Sequence, residues 1–142
     1  AKMPLSTEMA EAVLAELESA IATLDAGADF AAPEMQRVAP LLAIQRRWSA
    51  IPTRNTLLLE TWQSREGRHL YCYPFAGRHA HLGIASLLAY RLGKRQPATF
   101  SMAVNDYGFE LMTVASIDWI RAWRPDAGLL DEDGLLDDIL AS

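Results

Sequence analysis

Thr56-Leu57-Leu58-Leu59-Glu60-Thr61-Trp62, then Arg65-Glu66-Gly67-Arg68, then His69-Leu70-Tyr71-Cys72-Tyr73 is the stretch that decides the fold. Two runs rich in branched and aromatic residues flank a turn with one glycine, the pattern of a β-hairpin. In the second run Leu70 and Cys72 fall on one face and His69, Tyr71 and Tyr73 on the other. Side chains alternate along a strand, so this is a half-buried strand of an antiparallel sheet. Pro74, which has no N–H to give, ends it.

Downstream, Leu82, Ala85, Leu88, Ala89 and Leu92 recur at helical spacing, so a helix is expected from Arg78 to Leu92 with Gly93 as its stop. Pro97 opens a second hairpin. Phe100, Met102 and Val104 alternate with Thr99, Ser101 and Ala103, Asn105-Asp106-Tyr107-Gly108 turns, and Phe109 to Val114 returns. A short helix, Ile117 to Trp123, follows with Ser116 as its cap, and Arg124-Pro125-Asp126 ends it. Leu135, Leu136, Ile139 and Leu140 give a last helical period.

Upstream, Met9, Val13, Leu14, Leu17, Ile21 and Leu24 form one apolar stripe over residues 6–25. Ser6 is the expected N-cap and Gly27 the stop. Pro33-Glu34 starts a second helix, because proline is tolerated in the first turn. Pro40 predicts a kink or a fresh start, and the helix must end before Pro52. The order is ααββαββαα, an α+β fold: two antiparallel hairpins forming a small sheet, packed with about five helices. It reads as a single domain over residues 1–142. The last helix ends in mid-pattern, which suggests a fragment of a larger protein.

The chain has 142 residues, enough for one domain with a real core. No apolar run reaches the roughly 18–20 residues of a membrane span. Ala1-Lys2-Met3-Pro4 leads into an acidic amphipathic pattern rather than a signal or transit peptide. A single cysteine, Cys72, excludes an internal disulfide and a cysteine zinc site. The net charge of -5 argues against a nucleic-acid partner, but its distribution argues for one. Residues 37–95 hold ten of the thirteen Lys and Arg but only two acids, Glu60 and Glu66. An asymmetry of that size implies a basic face, or else long basic side chains that only solvate helices and a hairpin.

Catalytic patterns are missing. There is no phosphate-cradling glycine loop, Gly-x-Ser-x-Gly or reactive-cysteine signature. His79 and His81 lie two apart, so on a helix they diverge by about 200° and cannot share a metal. Asp131, Glu132, Asp133, Asp137 and Asp138 lack calcium-loop spacing and read as a solvated helix start. Glu60 and Glu66 flank the hairpin without other glycosidase features. No catalytic, cofactor or metal residue is assigned. The remaining enzymatic reading would need Glu60, Glu66 and His69 to converge in one pocket.

A binding reading has more behind it. Arg46-Arg47-Trp48-Ser49 sets two guanidiniums beside an indole, and Arg54 follows across Pro52. Guanidiniums on phosphates with an aromatic under a base suit single-stranded nucleic acid. The alternative is that Trp48 completes the core stripe begun at Leu41. Trp62, Tyr71 and Tyr73 read as hairpin core or cross-strand pairs rather than base platforms. Arg78, at a helix start after Gly77, would share an anion with neighbouring amides or pair with Glu60 or Glu66.

Several blocks together resemble one family. They are Met3-Pro4-Leu5-Ser6, Leu41-Leu42-x-x-Gln45-x-x-Trp48-Ser49-x-Ile51-Pro52, Arg65-Glu66-Gly67-x-His69-Leu70, Tyr73-Pro74-Phe75-Ala76-Gly77-Arg78-x-x-His81, and Thr99-Phe100-Ser101-x-Ala103-x-Asn105-Asp106-Tyr107-Gly108-Phe109-Glu110-Leu111. The family is the C-terminal DEAD/H-associated region of Lhr-type helicases, with the ligase-associated DEXH-box branch most similar. The blocks occurring in order are more specific than any one of them. One departure is His79-Ala80-His81-Leu82, where the family pattern has an apolar pair before the histidine and an acid after it.

The resemblance implies a bacterial, cytoplasmic and nucleoid-associated parent with two RecA-like motor domains, a winged-helix domain and this accessory region. ATP and Mg would be bound in the motor domains, not here. Such parents are ATP-dependent 3′-to-5′ translocases on single-stranded DNA, linked to DNA repair. Arg46, Arg47, Arg54, Arg65 and Arg78 would then contact phosphate and Trp48 a base, coupling hydrolysis to unwinding. The other reading is a bracing module between the winged-helix and RecA-like domains.

Overall fold

The structure, a computed structural model, describes residues 5–142; the opening Ala1-Lys2-Met3-Pro4 lies outside them, and with it half of the Met3-to-Ser6 block. The chain divides into a helical unit, Leu5–Leu58, and a sheet-centred unit, Leu59–Ser142.

In the helical unit, Ser6 caps α1 (Thr7–Asp25) as expected, its Oγ accepting the Met9 amide at 3.2 Å. This satisfies one of the four amides that a helix start leaves without an intrahelical partner. At the other end Gly27 turns to φ 62°, and its amide and that of Ala28 return to Leu24 and Thr23 carbonyls. Only Ala10 and Ala20 of α1 are buried. The larger residues of the expected stripe stay half-buried, and Met9 is exposed.

Helix α2 (Pro33–Trp48) starts on Pro33 and carries Pro40 in its interior, so the proline neither ends nor restarts it. Pro40 cannot donate to Gln36, but α2 has no buried residue, so water can serve that carbonyl. The Ser49 amide closes the last turn on Gln45 at 2.9 Å.

The sheet unit follows the expected order. Its elements are β1 (Leu58–Gln63), β2 (Arg68–Tyr73), α3 (Arg78–Arg95), β3 (Ser101–Val104), β4 (Phe109–Thr113), α4 (Trp119–Ala122), a 3-10 turn (Pro125–Ala127) and α5 (Leu135–Ala141). The strands lie in the order β1-β2-β4-β3, so the two hairpins join through β2 and β4. That central pair is antiparallel, with Leu70 opposite Leu111 and Cys72 opposite Phe109. These four side chains point to one face and pack with Ala85, Leu88 and Leu92 of α3. Ile117, Trp119 and Leu129 extend the core. Burying each Leu contributes roughly 1.5–3 kcal/mol.

Two glycines are needed because backbone passes where a side chain would stand. A Cβ on Gly108 would lie 2.2 Å from the Cys72 carbonyl oxygen, and one on Gly67 2.4 Å from that of Thr113.

Three local expectations differ from the structure. Gly93 does not stop α3, which continues to Arg95 before Pro97. A helical glycine costs only about 1 kcal/mol, and the last turn is anchored by Arg91 and Lys94. Leu82 is exposed, and His81 takes the buried place beside Ala85. Asp118 rather than Ser116 caps α4, accepting the Arg121 amide at 3.1 Å.

The second face of the sheet carries His69, Tyr71, Tyr73, Glu110 and Met112. Leu59 packs on the core, so Glu60 and Trp62 alternate to this second face. Trp62 is 64% exposed, so of the two expectations for it, hairpin core or cross-strand pair, the core does not hold. Among the described residues no helix is long and apolar enough to cross a membrane.

Candidate nucleic-acid interface

The C-terminal turn of α2 presents Arg46, Arg47 and Trp48. Trp48 is 80% exposed, and Leu41, one turn-pair earlier on the same side, is 67% exposed. The alternative that Trp48 closes a core stripe therefore does not hold. Arg46 pairs with Asp25 at 2.9 Å, both side chains being about half exposed. Such a surface pair is worth about 0–1 kcal/mol, so a phosphate can compete for the guanidinium. Arg47 makes no ion pair among the described residues.

Arg54 is more firmly occupied. Its backbone amide reaches Glu18 Oε1 at 2.8 Å and its Nε reaches Oε2 at 3.0 Å. These hydrogen bonds hold the Glu18 carboxyl below its usual range and raise Arg54. From sequence, Glu18 belongs to a solvated acidic face; its partner lies 36 residues on.

In the sheet unit Arg65 sits exposed in the β1–β2 turn without an ion pair among the described residues. Arg78 opens α3, and its nearest acid is Asp106 at 4.0 Å, neither Glu60 nor Glu66. That distance exceeds a hydrogen bond, and Asp106 Oδ1 has no hydrogen-bond partner among the described residues. Arg65 precedes β2 and Arg78 follows it, so the two stand at opposite ends of that strand.

The end bearing Arg78 is held by a buried histidine. His81 Nδ1 donates to the Asn105 carbonyl at 2.7 Å, and Nε2 accepts the Ala76 amide at 3.0 Å. Those two bonds set the proton on Nδ1. The Asn105 side-chain oxygen accepts the Tyr107 and Gly108 amides, both at 2.9 Å. Phe75, at φ 55°, donates its amide to the Tyr107 carbonyl, and the two rings meet edge to face at 5.8 Å. Three sequence blocks, Tyr73-to-Gly77, His81 and Asn105-to-Gly108, are thus one joint.

Those blocks fall within residues 51–142, which match the DEAD/H associated family. The chain belongs to the DEAD/H associated family. Comparison with curated proteins and with solved structures finds no match. The family makes this a helicase-associated region. The matched segment of the DEAD/H-associated chain contains Arg54, Arg65 and Arg78; Arg46, Arg47 and Trp48 precede it.

Two polar clusters of this DEAD/H-associated chain escape sequence reasoning. The hydrogen bonds of His69 run to Ser64 and Glu110 rather than to Glu66. Its Nδ1 meets Glu110 Oε1 at 2.6 Å and its Nε2 meets Ser64 Oγ at 2.7 Å. Glu66 contributes only its amide, which donates to Ser64 Oγ at 3.0 Å, while the Ser64 amide reaches the Gly67 carbonyl. The Ser–His–carboxylate order resembles a hydrolytic relay. Here the hydroxyl oxygen already accepts a turn amide, and the row serves as a clasp from the β1–β2 turn to β4. No local signal marks Glu110, 41 residues from His69.

The second cluster is Arg91, only 6% exposed. Its guanidinium donates to Asp138 Oδ2 at 2.8 Å and to the carbonyls of Leu129, Asp131 and Asp133 at 3.0, 2.8 and 3.3 Å. Lys94 reaches the other Asp138 oxygen at 3.0 Å. Hydrogen bonds from Lys94 and then Arg91 hold the Asp138 carboxyl below its usual range, and the same contact raises Lys94. Of the five acids expected to be solvated, Asp138 alone gives its carboxylate to this clamp; Asp131 and Asp133 give only carbonyls, and Asp131, Glu132, Asp133 and Asp137 stay exposed. Part of the sequence's charge split is answered within the fold. Cys72 is buried, which pushes its thiol up to about 12 and keeps it unreactive. Among the described residues no cluster of three His, Cys, Asp or Glu is placed to hold a metal ion.

Proposed function

We propose that the chain is a non-catalytic accessory region of an Lhr-type, ligase-associated DEXH-box helicase of the bacterial nucleoid. It contacts single-stranded DNA and couples ATP hydrolysis in the parent's motor domains to 3′-to-5′ unwinding in DNA repair. The observation that supports this is Trp48, exposed at the end of α2 beside Arg47. A base stacked on an indole is worth about 1–3 kcal/mol, and free guanidiniums supply the phosphate contacts. In the helical unit Arg46 and Arg54 are further proposed phosphate contacts, by exchanging their carboxylates for phosphate; in the sheet unit Arg65 and Arg78 are proposed phosphate contacts in their own right.

The test is single-stranded oligonucleotide binding by wild type and Trp48→Ala. The substitution is expected to weaken binding roughly tenfold, from about 1.4 kcal/mol of lost stacking. The melting temperature should stay unchanged. Equal affinity of the two proteins overturns the assignment of Trp48.

A second reading, bracing between winged-helix and RecA-like domains, is favoured by one observation. Val38, Leu41 and Ile44 leave α2 with an exposed apolar side. In the full-length parent, Leu41→Ser with Ile44→Ser would then lower thermal stability while DNA binding by the isolated chain stays intact. On the DNA-contact reading this pair changes neither.

A further inference from the structure

The sheet unit contains a cleft of about 780 Å³ between the C-terminal end of α3 and the segment from Ser116 to Ala127. That is the size range of sites for small organic ligands. Three arginines line it: Arg95 from the last turn of α3, Arg121 in α4 and Arg124 just after α4. None of the three makes an ion pair among the described residues. This sets them apart from Arg46, Arg54, Arg91 and Lys94, each of which has a carboxylate.

The acids of the cleft do not cancel them. Asp118 gives its Oδ1 to the Arg121 amide as the cap of α4, and Asp126 is the only other carboxylate in the lining. Below the charges lie Leu92 and Ile117, both buried, with Ala122 beside them. The walls are fixed to each other. Gln96 Nε2, at the end of α3, donates to the Ser116 carbonyl at 3.1 Å, and Trp119 roots α4 in the core.

Three uncommitted guanidiniums around one cleft fit a ligand with an anionic edge. We propose that this cleft holds one nucleotide unit of single-stranded nucleic acid, with Arg95, Arg121 and Arg124 on its phosphates. Guanidinium forks match phosphate oxygens two at a time, which suits a phosphodiester passing between α3 and α4. The inference rests on the reading of the chain as a single-stranded DNA contact and adds a second site, none of whose arginines belongs to the path through Trp48.

The test uses the whole chain with a fluorescent oligothymidylate, titrated at several salt concentrations. The proteins are wild type, Trp48→Ala and the triple variant Arg95→Gln, Arg121→Gln, Arg124→Gln. Each phosphate contact on a single strand contributes about 0.7 to the slope of log affinity against log salt. The triple variant is therefore expected to lower that slope by about 1.4–2.1, with an unchanged melting temperature because its side chains are exposed. Thymidine 5′-monophosphate at the same nucleotide concentration should not displace the strand.

Three outcomes overturn the proposal, and they are separable. If wild type does not bind the oligonucleotide, both the cleft and the DNA reading fall. If the triple variant keeps the wild-type slope while Trp48→Ala weakens binding, the cleft alone falls. If the mononucleotide displaces the strand from wild type but not from the triple variant, the cleft is a site for free nucleotides and its assignment to the strand is wrong.

Discussion

The two units handle the same ingredients differently. The sheet unit builds a core in which Leu70, Leu88 and Leu111 are fully buried, although Trp62, Leu82 and Leu140 stay exposed, and buried polar groups such as His81 and Arg91 have partners. The helical unit buries Ala10, Ala20 and Ile51, and leaves Leu41, Ile44 and Trp48 exposed on α2. Amphipathic periodicity is present in both. What separates them is whether a second layer meets the stripe, which periodicity alone does not encode. The sheet unit is the frame with the larger buried core, and α2 is the element with the exposed apolar and indole surface.

Truncating one leucine in each unit should give the largest difference. Leu70→Ala at the centre of the sheet should cost about 2–5 kcal/mol, because the surrounding strands and α3 cannot collapse into the space. Leu41→Ala should stay within about 0.5 kcal/mol. Denaturant unfolding of both variants measures the difference directly. Equal costs would mean that α2 is buried in solution and that the contrast is wrong.

The next largest effect is expected at Arg91. Arg91→Leu would leave three carbonyls without their donor and Asp138 with Lys94 alone, and an unsatisfied buried carbonyl costs about 1–3 kcal/mol. The clamp also has a pH signature. Asp138 is held below its usual range, so its contribution is complete above the ordinary carboxylate value and fades as pH falls through the lowered one. Lys94 is raised, so its contribution is complete below the ordinary lysine value and fades as pH rises through the raised one. In Arg91→Leu the acid limb of stability against pH should flatten. An unchanged acid limb would mean that Lys94 alone sets the Asp138 carboxyl.

The sequence reveals what depends on local pattern. The alternation Leu70, Cys72 against His69, Tyr71, Tyr73 fixed the buried face of β2, and Ser6, Gly27 and Pro33 marked their helix ends. It misleads wherever a distant partner decides. Glu18 and Asp138 look solvated until Arg54 and Arg91 arrive from 36 and 47 residues away. The sum of charges over residues 37–95 suggested one basic face, yet four of its ten bases hydrogen-bond acids of the flanks and a fifth, Arg78, stands 4.0 Å from Asp106. The arginines left unpaired include Arg121 and Arg124, outside the segment that composition had singled out. Trp48 and Trp62 follow the same rule: nothing near them in sequence states whether another layer covers them.

The smallest effect is expected at the Ser64–His69–Glu110 row, and it separates a clasp from a reactive relay. As a clasp, the row ties the β1–β2 turn to β4, and each hydrogen bond contributes about 0.5–1.5 kcal/mol. Ser64→Ala and Glu110→Gln should each cost about 1 kcal/mol, while the double variant costs less than their sum because both act through the same imidazole. As a relay, Ser64 would carry an activated hydroxyl, and a fluorophosphonate would label wild type but not Ser64→Ala. Its oxygen already accepts the Glu66 amide at 3.0 Å, which draws electron density from the hydroxyl. The expected result is no labelling together with measurable coupling. Labelling at Ser64 would mean that the frame unit carries chemistry as well as support.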